Sequence, residues 1–331
     1  MAHLLMRNDP VHYALFVRSP DSCWIPADAS ASYSLYTAPF QNYSLSEQLM
    51  FPLVLRHSKS DLLFFPHFNV PLLCPIPFAT TIHDLILHRY PNQASALRRA
   101  SYRMAMRHAV RKARALIAVS KFTAGELART YGNNARKKTT VIHNAVSDEF
   151  CRKSAAECGA VLKKYDLRKP FFLYVGNCKE HKNVQTLINA YDSLKTEDTE
   201  LALVTGGKEA GNLILRAGVR ILRDVSASDL PCLYYFAVAF ATASLYEGFG
   251  MPVMEAAASG CPVIVTNRGS LPEISPPGSR IVEPTIAAIA EALRDPPRPP
   301  NPGKIRTWEE VANQTFVVLR KALDYKLPNR S

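Results

Sequence analysis

The sequence predicts an α/β protein with doubly wound parallel sheets, divided into two domains, on three observations. Its 331 residues, 47% of them hydrophobic, suffice for two buried cores, since single domains centre on about 100–150 residues. Short apolar runs alternate along the chain with amphipathic helical patterns and glycine turns, the order expected of βαβ units. The third observation is one stretch that can be placed in a single structural frame. Residues 236–243 form a buried-strand run, Gly248 and Gly250 a turn, Pro252 an early helical position and Gly260 a helix stop, before a second strand over 262–266.

Taken in order, residues 1–6 read as the tail of a helix and 12–17 as a strand. Residues 21–50 are polar and aromatic without clean periodicity, which predicts loops, short strands and a helix over about 45–55. A short strand is expected at 61–65, followed by a proline-bounded loop. Phe78–Ile82 makes a stronger strand that ends in His83 and Asp84, and open α/β sheets place ligands at such carboxyl ends. Residues 97–114 are helical by pattern. Tyr102, Met106, Ala109 and Ala113 form one stripe, and Arg99, Arg103, Arg107, Arg111 and Arg114 another. That basic stripe suits anionic lipid, although the opposite stripe is mostly alanine and buries only shallowly. A strand over 116–119 with Ser120 at its end and a helix over 123–131 follow, and Val141 and Ile142 lead into the run HNAVSDEF.

A polar segment between about 150 and 169, containing a helix over 154–165, marks the passage between domains. The second domain opens with an aromatic strand from Pro170, a glycine turn at Gly176 and an amphipathic helix. Strands over 201–205 and Val219–Leu222 come next. The intervening GGKEAG mimics a dinucleotide fingerprint but lacks its spacing and its acidic partner. After the central stretch, Ile286–Arg294 is a helix, residues 296–303 a proline-rich loop, and 307–323 the last amphipathic helix.

Composition excludes several classes. The start shows no signal-peptide pattern, because Arg7, Asn8 and Asp9 interrupt its apolar residues, and no apolar run is long enough to span a bilayer. The seven cysteines are odd in number and lack C-x-x-C spacing, which reads as thiols of a cytoplasmic protein. The net charge of +12 asks for an anionic partner. No zinc spacing or RNA-recognition motif accompanies it, so no nucleic-acid partner is expected.

The glycine stretch carries the chemistry. A helix start offers unpaired N–H groups and a positive dipole end, and glycines let an anion approach, so phosphate is the expected visitor. Glu247 and Glu255 are separated by seven residues, the first in the loop and the second about a turn into the helix. Helical side chains lean back toward the amino end, so Glu255 can return to the same cavity and accept from two sugar hydroxyls. Phosphate beside a vicinal diol describes a nucleotide sugar.

The run EGFGMPVMEAAASGCPVIVTNRGSLPE resembles the signature of the retaining group 1 glycosyltransferases. The resemblance covers about residues 61–323, and it implies the GT-B fold of two facing Rossmann-like domains. It assigns the donor ribose to Glu255, and the transferred sugar and diphosphate to Glu247 with Gly248, Phe249, Gly250 and Met251. TIHDL, at residues 81–85, resembles the family element whose histidine lies near sugar and acceptor, which makes His83 catalytic and puts Asp84 and Ser120 on the acceptor side. Relatives carry an Arg after the glycine of the second domain's first turn and a Lys about five residues on. Asn177 stands at the Arg position here and Lys182 at the Lys position, so Lys182 is the cation for the leaving diphosphate. Val225 falls where relatives hold the base through backbone, and Ala145 replaces a usual glycine.

The resemblance implies transfer of a hexose, mannose from GDP-mannose as the first choice, to a glycan or lipid-linked acceptor, with retention, without metal and without a further cofactor. Peripheral contact with the inner membrane face is the accompanying expectation. Relatives carry a strand, glycine loop and helix ahead of the strand at 12–17, so either residues precede Met1 or the N-terminal domain is truncated. The expected division is 1–152, a linker 153–169, a donor domain 170–310, and 311–331 packing back on the first domain. A catalytically impaired nucleotide-sugar-binding or scaffold relative, and a nucleotide-sugar epimerase, are the alternatives.

Overall fold

The structure is a computed structural model that describes residues 1–19, 25–27, 29–300 and 305–324. Cys23, the end of the proline-rich loop (301–303) and 325–331 of the terminal segment lie outside the described residues. Two compact units form, one from Met1–His143 with Trp308–Ser331, the other from Asn144–Thr307.

The first unit begins with α1 (Ala2–Leu5) and the strands β1 (Tyr13–Val17) and β2 (Tyr33–Thr37), which pair in parallel as a separate ribbon. After α2 (Leu45–His57), a four-stranded parallel sheet runs in the order β3 (Leu63–Phe65), β4 (Phe78–Ile82), β5 (Ala115–Ala118), β6 (Thr139–Val141). β4 is buried at every residue, which explains why its sequence is a continuous apolar and threonine run rather than an alternating one. The helices α3 (Ile86–Arg89), α4 (Ala96–Lys112), α5 (Lys121–Tyr131) and α6 (Asn133–Lys138) cover the sheet. On α4, Tyr102, Met106, Ala109 and Val110 enter the core against Phe78, Ile82 and Leu116. α6 escapes sequence reading because NNARKK has no apolar period. It buries only Ala135 and starts after Gly132, whose φ is +79°.

The second unit carries α7 (Ala155–Lys164), then β7 (Phe171–Val175), α8 (Val184–Asp192), β8 (Glu200–Val204), β9 (Val219–Leu222) and α9 (Leu230–Phe236). It continues with β10 (Ala239–Ala241), α10 (Met251–Ala258), β11 (Val263–Thr266), α11 (Leu271–Ile274), β12 (Arg280–Val282) and α12 (Ile286–Arg294). Its six strands are parallel in the order β12-β11-β10-β7-β8-β9. The chain builds outward from β7 in one direction, then returns to add β10 on β7's other side. That reversal is a topological switch point, where the loops leaving two neighbouring strands diverge and open a crevice.

The last helix, α13 (Trp308–Asp324), belongs to the first unit, where Val318 packs with Ile117 and Ile142. Arg114 donates to the carbonyl oxygen of Ala322 at 3.2 Å.

Three expectations need correction. Residues 153–169 are no free linker, because α7 packs on α9 within the second unit, and Lys164 and Tyr165 both donate to Asp229 at 2.7 Å. The apolar run 236–243 is not all strand. Phe236 closes α9, whose Cys232, Leu233 and Tyr234 are buried, and β10 starts only at Ala239. The cysteines are not all thiols either, since Cys158 of α7 and Cys232 of α9 form a disulfide.

Candidate functional site

The second unit's switch point gathers the loops that follow β7, β10 and β11. After β7, Asn183 takes a left-handed conformation and its side chain donates to the carbonyl oxygen of Ala243 at 3.2 Å, tying the first loop to the end of β10. A backbone bond from Leu245 to the carbonyl oxygen of His181, 2.7 Å, joins the same two loops. His181 is buried there, and burial, aided by Lys182 and Lys179, depresses its basicity to about 4, so it sits neutral in the scaffold.

These ties bring Lys182 to Glu247. The ammonium lies 2.6 Å from Glu247 Oε1, and both side chains are about 15% exposed. Ser244 Oγ donates to the same oxygen at 2.9 Å, and Thr266 donates to the Ser244 carbonyl from β11. The third loop clamps Glu247 from behind. Ser270 bonds to its carbonyl through both N–H and Oγ at 3.1 Å, and a Cβ on Gly269 would stand 2.6 Å from the Glu247 nitrogen. Among the described residues, Glu247 is thus a carboxylate whose backbone is held by the third loop and whose side chain meets a single cation.

Gly250 caps α10 at φ +95°, a conformation a side chain would resist. Gly248 and Phe249 are buried and Met251 is half-buried at the helix start. On the next turn Glu255 accepts from the buried Tyr234 hydroxyl at 3.0 Å. Burial pushes the Glu255 carboxyl above the usual carboxylate range, with the Tyr234 bond opposing and nearby Glu149 adding to the shift. The two glutamates share a helix and its loop but have different partners, Lys182 for one and Tyr234 for the other.

Asn177 and Val225 meet at a cavity of about 310 Å³ at the carboxyl ends of β7, β8 and β9, also lined by Thr205, Gly206 and Asp224. Tyr174 O–H donates to the Asn177 carbonyl at 2.6 Å and fixes the loop. Sequence reading named Asn177 and Val225 but missed Thr205 and Asp224. Gly206 stood in the discounted GGKEAG run. The end of β8 beside β7 was the signal that would have found them.

In the first unit, His83 is exposed at the end of β4, its Nε2 2.8 Å from the Pro66 carbonyl oxygen and its ring stacked on His67. Asp84 accepts from the Ile86 N–H at 2.9 Å and so starts α3. Ser120 is fully buried and caps α5, accepting from the Thr123 N–H at 3.0 Å.

Residues 163–300 match the family described as glycosyl transferases group 1, and residues 7–150 match Glycosyltransferase Family 4. The chain is 29% identical over 295 residues to an O-antigen chain mannosyltransferase B of Escherichia coli, an alignment covering 82% of this chain and 73% of that one. Sucrose-phosphate synthase from Thermosynechococcus elongatus superposes with a TM-score of 0.70 at 20% identity, covering 93% and 88% of the two chains. Anabaena HepE in complex with UDP-glucose gives 0.63 at 17% identity, covering 93% and 90%. These likenesses give the molecule the GT-B fold.

Proposed function

From the premise that the chain belongs to the group 1 glycosyltransferases, we propose that it transfers mannose from GDP-mannose to a glycan or lipid-linked acceptor, with retention of configuration and without metal. One observation carries the donor reading: Lys182, paired with Glu247, stands beside the start of α10 at the switch point. A diphosphate arriving at that helix start finds N–H groups and an ammonium already in place, and the charge that builds on the leaving diphosphate is met by both. Glu247, released from Lys182 as the phosphate takes over that cation, has an acceptor oxygen for the sugar hydroxyls. Glu255 takes the ribose diol, and the cavity at Asn177 and Val225 takes the base. Within the first unit, His83, Asp84 and Ser120 are the residues assigned to the acceptor.

The mannosyltransferase relative favours mannose, and the UDP-glucose held by HepE favours a nucleotide sugar as donor class. The second partner is an anionic membrane surface at the cytoplasmic face. Attraction there is electrostatic, since the apolar stripe of α4 is spent in the core and no helix among the described residues is long and apolar enough to cross a bilayer.

Calorimetric titration with GDP, UDP and ADP tests the donor site, with Glu255→Ala as control. GDP binding that weakens at least tenfold in the variant is expected. Folded protein that binds none of the three overturns the reading. Retention is read from the anomeric coupling of the product by proton NMR, and an inverted anomer sinks that part of the proposal.

A further inference from the structure

A second cavity, of about 390 Å³, lies among the helices of the first unit, walled by α3, α4, α5 and α6 with no strand residue in its lining. Arg103, Arg107 and Arg111 stand on one face of α4, four residues apart, and all three line it. They are exposed, and their guanidiniums have no acidic or backbone partner among the described residues, whereas those of the arginines at either end of the same stripe do. Arg99 donates to the Pro91 carbonyl oxygen and Arg114 to that of Ala322. No carboxylate lines the cavity. The nearest candidate on α5, Glu126, is already held by Arg89 and Arg129 at 2.6 Å each.

The opposite wall is polar and fixed. His88 is gripped between two phenols, Nδ1 3.3 Å from Tyr102 and Nε2 3.1 Å from Tyr131, and Tyr131 and Asn134 face the arginines. Burial and Arg103 lower the basicity of His88, so the charge here belongs to the guanidiniums. Like charges four residues apart on a helix repel. Three such groups in a concavity, without a counter-charge, are relieved by one ligand with several acceptor oxygens. Guanidinium forks match the tetrahedral oxygens of phosphate, and the space exceeds a bare ion, leaving room for a substituent.

We propose that this cavity is a phosphate site that takes a phosphomonoester or diphosphate group through Arg103, Arg107 and Arg111. The inference is independent of the donor reading, because every lining residue belongs to the first unit. The shared chemistry has two sources, a soluble phosphate or a lipid headgroup, and two arms separate them. In the first, inorganic pyrophosphate is titrated calorimetrically into the full chain. In the second, the chain is sedimented with phosphatidylcholine vesicles with and without phosphatidate. Each arm compares wild type, Arg103→Gln/Arg107→Gln, and a charge-matched control outside the cavity, Arg98→Gln/Lys112→Gln. Unchanged thermal midpoints check folding, and Arg107→Lys, which keeps the charge but loses the fork, is the reserve variant.

A tenfold or greater loss of pyrophosphate affinity in the cavity variant alone supports a soluble phosphate. The same loss confined to phosphatidate vesicles supports a headgroup. Equal behaviour of the cavity variant and its control in both arms overturns the site.

Discussion

At the scale of single residues, the site rests on Lys182 and Glu247, side chains 65 positions apart in sequence and 2.6 Å apart in space. Lys182→Ala is expected to lower kcat/KM by about 10²–10³-fold, the size of losing one preorganised charge donor. Stability should fall by only about 1–3 kcal/mol, because Ser244 still bonds Glu247. Steady-state kinetics beside a denaturant curve separate the two. Glu255 makes a different prediction. Its carboxyl is raised by burial, so the fold favours the neutral acid. That preference is fully present below the ordinary carboxylate pKa and is lost as pH rises through the raised value. Glu255→Gln should therefore gain stability relative to wild type as pH climbs from about 4 to 8. A difference flat across that range would refute the burial argument.

Among the elements, the loop after β11 does more for the site than its glycine and serine suggest. Gly269 sits at φ +63°, with no room for a Cβ against the Glu247 backbone. Gly269→Ala should destabilise by about 1–3 kcal/mol and displace Glu247. Nucleotide-sugar turnover should then fall more steeply than nucleotide binding, and an equal fall in both would argue against it. Gly269 was read only as part of a motif, since nothing local says what its hydrogen faces. Elements with a long apolar period, such as α4, α12 and α13, were legible in the sequence within two residues, as was β4 with its uninterrupted burial. α6, with one buried alanine, and α9, whose apolar run continues into β10, were not, because periodicity fails where a helix is short or everything is apolar.

For the whole molecule, the parallel α/β architecture was legible from the alternation of runs and turns, but the strand order was not. Pairing of β10 with β7 is a tertiary choice no local pattern encodes, and the switch point follows from it. The boundary was misjudged for a related reason: a polar segment with one helix looks like a linker until α9 supplies the surface that α7 covers. Having its own six-stranded sheet and core, the segment 144–307 expressed alone should melt cooperatively. A broad, non-cooperative melt would show that it depends on the first unit. The two units also differ in how the chain supplies them. The second is one continuous stretch, whereas the first needs α13, which follows it, to cover Ile117 and Ile142. On the ribosome the second unit is therefore complete first, while the earlier-made unit waits with an uncovered apolar face, a target for chaperones, until α13 emerges.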